Sequence, residues 1–245
     1  MKILSIDTSG QTACAGITAN DNNGYITLAE MNISGARAKL THSEILLPMI
    51  DRLFKFTGLT IEDIDYIACV NGPGSFTGLR IGAATAQGLA RGAGKKLVPV
   101  PALDSLAYNI GTHEGYIMPM MDARRSQTYT AVYASGGDAP KRVTEYLAVQ
   151  VTEALAVLYD AIQKADREPR IIFLGDGASA YEAEIEKEGK ALGLRFTFAP
   201  PNANRQRAAS AGYRAFEMLA GGFEPAEAFS LFYIRKPQAE RLRHE

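Results

Sequence analysis

The chain opens on a short apolar run, Lys2 to Ile6, that stops at Asp7-Thr8-Ser9-Gly10, a set of turn formers. Thr12 to Thr18 and Tyr25 to Met31 are two further strand-like runs, divided by the turn cluster Asn20-Asp21-Asn22-Asn23-Gly24. The three read as an antiparallel meander. From Thr41 to Phe56 the apolar period changes, with Ile45, Leu46, Met49, Ile50, Leu53 and Phe54 recurring three and four residues apart, as on one face of a helix. Thr41 and Glu44 form a capping box at its start, and Gly58 suits its end. Pro48 is expected to kink this helix or to confine its start. Ile64 to Val70 reads as a buried strand, Asn71 to Ser75 as a loop, Phe76 to Gly94 as a helix, Val98 to Val100 as a strand and Pro101 to Ile110 as a helix.

Residues 111–116 are polar and contain glycine, which marks a lobe boundary. Beyond it lie a strand, Tyr116 to Met121, ending in Asp122-Ala123-Arg124-Arg125, and a second strand, Thr128 to Tyr133, with a turn at Gly136-Gly137-Asp138. Val151 to Lys164 reads as a helix, Arg170 to Leu174 as a strand, Gly175 to Ala178 as a glycine turn, Ala180 to Ala191 as a helix and Ala208 to Leu219 as a small-residue helix closed by Gly221-Gly222. Strands and helices alternate throughout, which makes the class α/β. Setting Asp7 on Asp122 lays strand–Asp–turn–strand over the same series, with Ile6 on Met121, Ala15 on Thr130 and Ile17 on Val132. The match is one of pattern, open both to duplication and to the likeness of any two αβ lobes.

A length of 245 residues fits one large domain or two lobes. Lys plus Arg is 26 and Asp plus Glu 27, and a net charge of -1 argues against a protein that grips a nucleic-acid backbone alone. Cys14 and Cys69 sit in apolar runs and in no CxxC pair, so they read as buried thiols. His42, His113 and His244 are not spaced for chelation, and no metal site is expected. The N-terminus enters a strand directly rather than a signal peptide, and no apolar stretch approaches the ~20 residues of a membrane span. The expectation is a cytoplasmic protein.

Gly72-Pro73-Gly74-Ser75-Phe76-Thr77-Gly78 follows a strand and opens a helix, an arrangement that attracts anions, but Leu79 and Arg80 stand where a P-loop carries Lys and Ser or Thr. Behind it Gly74, Gly78, Gly82, Ala86, Ala90 and Gly94 fall every four residues. Such a bare face allows close backbone approach, either by the chain's own sheet or by a partner's helix. Asp7-Thr8-Ser9-Gly10 can place a carboxylate beside a metal-bound phosphate, or Asp7 can simply cap its turn. Arg124 and Arg125 occupy the matching turn of the second half, where they crowd a backbone phosphate pocket or bind an anion themselves. His42 reads as structural or interfacial. Ser43 and Ser75 lack a nucleophile-elbow context.

Ile3-Leu4-Ser5-Ile6-Asp7-Thr8-Ser9, the helix His42 to Asp51, Gly72 to Gly82, Met121-Asp122-Ala123-Arg124-Arg125 and the tail Tyr233 to Glu240 together resemble the TsaB (YeaZ) family, of the Kae1/TsaD type. The resemblance implies an actin-like ATPase fold (ribonuclease H-like), with an N-terminal lobe over 1–110, a reduced second lobe over 111–207 and the segment 208–232 packing back on the first. It implies a non-catalytic subunit of the complex that transfers threonylcarbamoyl onto the adenosine beside the tRNA anticodon. Its partners would be a catalytic TsaD-like subunit and a TsaE-like ATPase, with a homodimer when alone, tRNA touched only indirectly and no membrane. TsaD holds a metal with a His-x-x-x-His pair that this chain lacks. No cofactor is required by this chain, while ATP or ADP is allowed at the partner interface, with Asp7, Thr8, Ser9, Gly10 and Arg124 as nucleotide contacts. Pairing would run through the helices Thr41–Phe56 and Gly78–Arg91, using His42, Leu46, Met49, Ile50, Leu53, Gly74, Gly78, Leu79, Arg80, Gly82, Ala83 and Ala86. On that reading Gly82→Arg abolishes pairing and spares the fold. The alternative is an active ATPase or small-molecule kinase of the same fold.

Overall fold

The computed structural model describes residues 1–21, 24–34, 40–111, 113–136, 139–163 and 169–235. The turn residues Asn22, Asn23, Gly137 and Asp138, the expected helix end at Lys164 and the tail from Lys236 to Glu240 lie outside the described residues. The chain divides into two compact units: Met1–Ser105 with Gln206–Phe232, and Leu106–Arg205 with the chain from Tyr233.

In unit 1, β1 (Lys2–Asp7), β2 (Thr12–Asp21) and β3 (Gly24–Ser34) form the meander that the apolar runs predict. Helix α1 (His42–Thr57) follows, with both halves of the Thr41–Glu44 capping box made and Gly58 left-handed at its end. Pro48 lies inside α1 and neither confines its start nor ends it. The helix continues because proline forfeits one backbone bond on an exposed side, while Ile45, Leu46, Met49, Ile50 and Leu53 hold the other side on the core. Then come β4 (Tyr66–Gly72), α2 (Phe76–Ala93), β5 (Lys96–Pro101) and α3 (Ala102–Ala107). The sheet order is β3-β2-β1-β4-β5, with β1, β4 and β5 mutually parallel.

Unit 2 contains β6 (Glu114–Asp122), β7 (Gln127–Thr130), β8 (Tyr133–Gly136), β9 (Lys141–Arg142), β10 (Leu147–Gln150), α4 (Val151–Ile162), β11 (Ile171–Leu174), α5 (Asp176–Ala180), α6 (Glu182–Ala191) and β12 (Phe196–Phe198). Its main path is β10-β7-β6-β11-β12, with β8 paired to β6 and to β9. Read by order of appearance along that path, this is again 3-2-1-4-5, with two antiparallel pairs followed by two parallel ones. The lobes are related, and the fold is the actin-like, ribonuclease H-like α/β fold. The alignment of the halves shifts by one residue, however. Asp7 pairs with Cys14 but Asp122 with Thr128, so the counterpart of Ala15 is Tyr129 and not Thr130. The expected strand Thr128 to Tyr133 is two strands, because the chain leaves the ladder after Thr130 and the Val132 N–H turns to Thr144 Oγ1 at 2.9 Å. The expected glycine turn at Gly175 is the entry to a short helix.

The last helix, α7 (Ala208–Ala220), belongs to unit 1. It lies close on β1 and β2 through Ala208, Ala211, Gly212 and Ala215, all buried. The other face of that sheet carries α1 and α2 side by side, and their buried residues share one core with Leu4, Ile6, Ile17 and Ile67. Among the described residues no helix is long and apolar enough to cross a membrane.

Candidate functional site: the strand-end loops and the paired helices

Asp7 ends β1 and is fully buried, as are Thr8 and Ser9 beside it. Its Oδ1 accepts from the Ser9 N–H at 2.8 Å and from the Ser9 hydroxyl at 2.7 Å. The Thr8 hydroxyl donates to the Gly78 carbonyl at 2.8 Å, and the Ser75 N–H donates to the Ser9 carbonyl at 2.7 Å. Gly10 is covered by the amide of Gln206, whose atoms stand 2.4–2.5 Å from where a Cβ on Gly10 would lie. The donors expected to meet a nucleotide through Asp7, Thr8 and Ser9 are therefore spent inside the fold, and Gln206 occupies the remaining face of the loop. The nucleotide contacts expected at Asp7, Thr8, Ser9 and Gly10 thus fall on a loop whose first three residues are buried and bonded internally.

Asp7 Oδ2 has no hydrogen-bond partner. Burial is the main cause of a carboxyl pKa raised to about 6, partly offset by the two bonds from Ser9. Because the folded state holds this proton more tightly than the unfolded chain, the associated stability is present below pH ~4 and is lost as pH rises through about 6. At neutral pH the ionised group costs roughly 3 kcal/mol. Asp7→Asn is therefore expected to raise the denaturant midpoint at pH 7.5 and to change it little at pH 4. A variant no more stable than the parent at pH 7.5 would mean that the buried charge is compensated.

Asp122 ends β6 in the equivalent place. Its Oδ1 accepts from the Arg124 N–H at 2.7 Å and the Tyr181 hydroxyl at 2.8 Å, and its Oδ2 lies 3.3 Å from the exposed Arg124 guanidinium. Arg124, Arg125 and Ser126 are all left-handed, with φ of 66, 56 and 58°. Arg235 braces the turn by donating to the Ala123 carbonyl and to Gln127 Oε1. Burial pushes the Asp176 carboxyl up, and burial together with the bond to Asp122 pushes the Tyr181 hydroxyl up to about 12. Tyr181, and Asp176, whose Oδ1 accepts from the Asp122 N–H at 3.1 Å, were invisible as partners of Asp122 because they are distant in sequence. The repeat was their only signal, since it marks the end of β11 as the neighbour of the end of β6. Among the described residues no three His, Cys, Asp or Glu side chains gather as a metal would need.

The paired helices present a different surface from the one expected. Leu46, Met49, Ile50 and Leu53 of α1 and Gly78, Leu79, Gly82, Ala83 and Ala86 of α2 are buried against the chain's own sheet. A Cβ on Gly78 would lie 2.1 Å from the Thr8 carbonyl oxygen, and one on Gly82 would lie 2.3 Å from Thr8 Oγ1. The glycine stripe is thus the seat of the β1 loop, and these nine of the residues named from the resemblance are packed on the chain's own core. Gly74 is half-buried over the Ser9 carbonyl, and His42 is half-buried beside Gly78. Arg80 does face outward, its guanidinium 3.8 Å above the Phe76 ring. The outward positions of α1 include Leu47, 53% exposed, Pro48, and Phe56, 76% exposed. Those of α2 include Thr77, Arg80, Ala84, Gly88 and Gly92, and a Cβ on either Gly88 or Gly92 would meet open space.

The family model for TsaD, tRNA N6-adenosine threonylcarbamoyltransferase, matches residues 29–231. The chain is 30% identical over 188 residues to the tRNA threonylcarbamoyladenosine biosynthesis protein TsaB of Bacillus subtilis, covering 76% of each chain. It is 34% identical over 137 residues to the Escherichia coli protein of that name, covering 54% of this chain and 55% of the relative. In structure it is similar to a Pseudomonas aeruginosa protein described as uncharacterized with similarity to peptidase YEAZ, with a TM-score of 0.74, 22% identity and coverage of 96% and 99%. It is also similar to YeaZ from Pseudomonas aeruginosa, with a TM-score of 0.69, 20% identity and coverage of 95% and 99%. These structural likenesses establish the fold.

Proposed function

The chain belongs to the TsaB (YeaZ) family within the TsaD type, and from that membership we propose that it is a cytoplasmic, non-catalytic partner subunit in the making of threonylcarbamoyladenosine on tRNA. In this reading it docks a catalytic TsaD-like subunit, which a TsaE-like ATPase joins, and it meets tRNA only through that complex. The observation that carries the reading is the outward face of α1 and α2. Leu47, Pro48 and Phe56 leave large apolar surface in water, and the row Ala84, Gly88 and Gly92 lets another helix come close. An exposed leucine and proline on α1 together with a row of small residues on α2 suit a packed helix–helix interface. The non-catalytic part of the reading rests on two features. The Asp7 loop consumes its own donors, and the sequence has no His-x-x-x-His pair.

The test is reconstitution of threonylcarbamoyl-tRNA formation from a TsaD-like subunit, a TsaE-like ATPase and the adenylate-making enzyme, with and without this chain. Modification is expected to fall to background when the chain is left out. Equal modification without it would overturn the proposal.

A further inference from the structure

Helix α7 rests on the unit 1 sheet unevenly. Its C-terminal half is anchored by the buried Phe216, on which Tyr25 stacks at 5.1 Å, by the bond of 2.6 Å between the Tyr213 and Thr27 hydroxyls, and by the Arg214–Asp104 ion pair at 2.9 Å. Its N-terminal half meets β1 and β2 through Ala208, Ala211 and Gly212, residues that bury little apolar surface. Beneath that half lie polar atoms sealed from water. A Cβ on Gly212 would lie 2.3 Å from Thr18 Oγ1 and 2.8 Å from Ser5 Oγ, so both hydroxyls sit directly under the helix. Asp7, two residues along β1 from Ser5, faces the same way. Gln206, which leads into α7, lays its amide on Gly10. Ser5 Oγ, Thr18 Oγ1, Asp7 Oδ2 and Gln206 Nε2 are all buried with no hydrogen-bond partner among the described residues. The layer on the other side of the sheet is of another kind. There Leu4, Ile6, Ile17 and Cys69 share an apolar core with Leu46, Met49, Ile50 and Leu53 of α1.

We propose that the N-terminal half of α7, together with Gln206, is a gate over the Asp7 loop. It lifts from β1 and β2 as a unit, while the Phe216 end and the α1 and α2 core stay in place. A sealed polar atom without a partner favours any state in which water reaches it, and four such atoms lie under this one stretch. Alanine and glycine supply little apolar burial to oppose the opening. What does oppose it is Glu30, which accepts from Arg207 at 2.8 and 3.3 Å and from the Ala209 N–H at 2.9 Å, and so clamps the start of the helix to β3. Closed, the gate holds Gln206 on Gly10 and keeps the Asp7 carboxyl from solvent. Open, it exposes that carboxyl and Cys14, whose thiol donates to the Gln206 carbonyl at 3.1 Å in the closed form. Local opening of this kind occurs without unfolding the rest of a domain. The inference concerns the face of the sheet opposite α1 and α2, and it does not depend on the role proposed above.

The two cysteines lie on opposite faces of this sheet and read the gate. Cys14, the cross-strand partner of Asp7, lies under Gln206, whereas Cys69 belongs to the α1 and α2 core. The experiment treats the intact native chain with a low concentration of N-ethylmaleimide and follows each cysteine by mass spectrometry of its peptide. Each rate is divided by that of the same thiol in the denatured chain. Cys14 is expected to label at least about tenfold faster than Cys69, since opening the gate takes less than unfolding the unit. Thr18→Val puts a methyl where the unpartnered hydroxyl stands and should slow Cys14 by about fivefold. Ile50→Val loosens only the α1 and α2 core. It should speed Cys69 by about fivefold and leave Cys14 unchanged, because Cys14 is exposed without that core opening. Equal rates for the two thiols in the unaltered chain would overturn the proposal. So would Ile50→Val speeding both alike, or Thr18→Val leaving Cys14 as fast as before.

Discussion

Replacing Gly78 with alanine is expected to lower the stability of unit 1 by on the order of 3 kcal/mol, the upper range for overpacking a tight core. The added methyl would meet the Thr8 carbonyl oxygen at 2.1 Å, with Ser75 Oγ and His42 Nδ1 near it at 3.2 and 3.3 Å. The nearest of these is backbone, held in place because the Thr8 hydroxyl donates to the Gly78 carbonyl and the Ser9 carbonyl accepts from Ser75. Helix and loop would have to separate, breaking those bonds in a dry interior. One turn on, Gly82 meets Thr8 Oγ1 at 2.3 Å, so Gly82→Arg should not fold, contrary to the expectation that it would spare the fold. Gly88→Ala supplies the contrast. It adds the same methyl to the same helix where nothing stands within 4 Å, and should stabilise by up to about 1 kcal/mol through helix propensity. Denaturant melts of the variants side by side check the pair. Equal stability of Gly78→Ala and the parent would mean that α2 does not sit on the loop as described.

The contrast between those glycines also marks how far the sequence is readable. A four-residue spacing reveals a bare helical face but not which way it points. Helix α2 has two such faces, Gly78–Gly82–Ala86–Ala90 inward and Ala84–Gly88–Gly92 outward, and the inward one has the more conspicuous spacing. In α1 the apolar period picks out the buried positions by its nature, so Leu46 and Met49 announce the core, and an interface has to be sought in the residues that break the pattern, Leu47 and Phe56. β1, the capping box at Thr41 and the helix from Ala208 were legible because their signals are local. β10 and β12 were not, since strands of four and three residues exist through pairing with β7 and β11 rather than through any pattern of their own. Asp7 reads the same from sequence whether it faces a ligand or is sealed. The amide that covers its loop at Gly10 comes from Gln206, almost two hundred positions away.

The outward face of α1 and α2 carries the other large expected effect. Gly88→Arg and Leu47→Asp should each weaken association with a TsaD-like subunit by about thirtyfold or more, the scale of losing one anchor of about 2 kcal/mol at the centre of an interface. At Gly88 the argument is distance. A guanidinium side chain rising from a bare strip keeps a second helix from the close approach that small residues permit. At Leu47 it is desolvation, because a carboxylate placed beside Pro48 and under a covering partner would be buried without a counter-charge. Both positions are exposed in the subunit alone, so thermal melts of the isolated variants should match the parent, which separates this pair from Gly78→Ala, where association and stability fall together. Binding is measured by calorimetry against the TsaD-like subunit, and reconstituted modification should fall in the same order as affinity. Folded variants that bind and support modification as the parent does would move the docking surface off these two helices altogether.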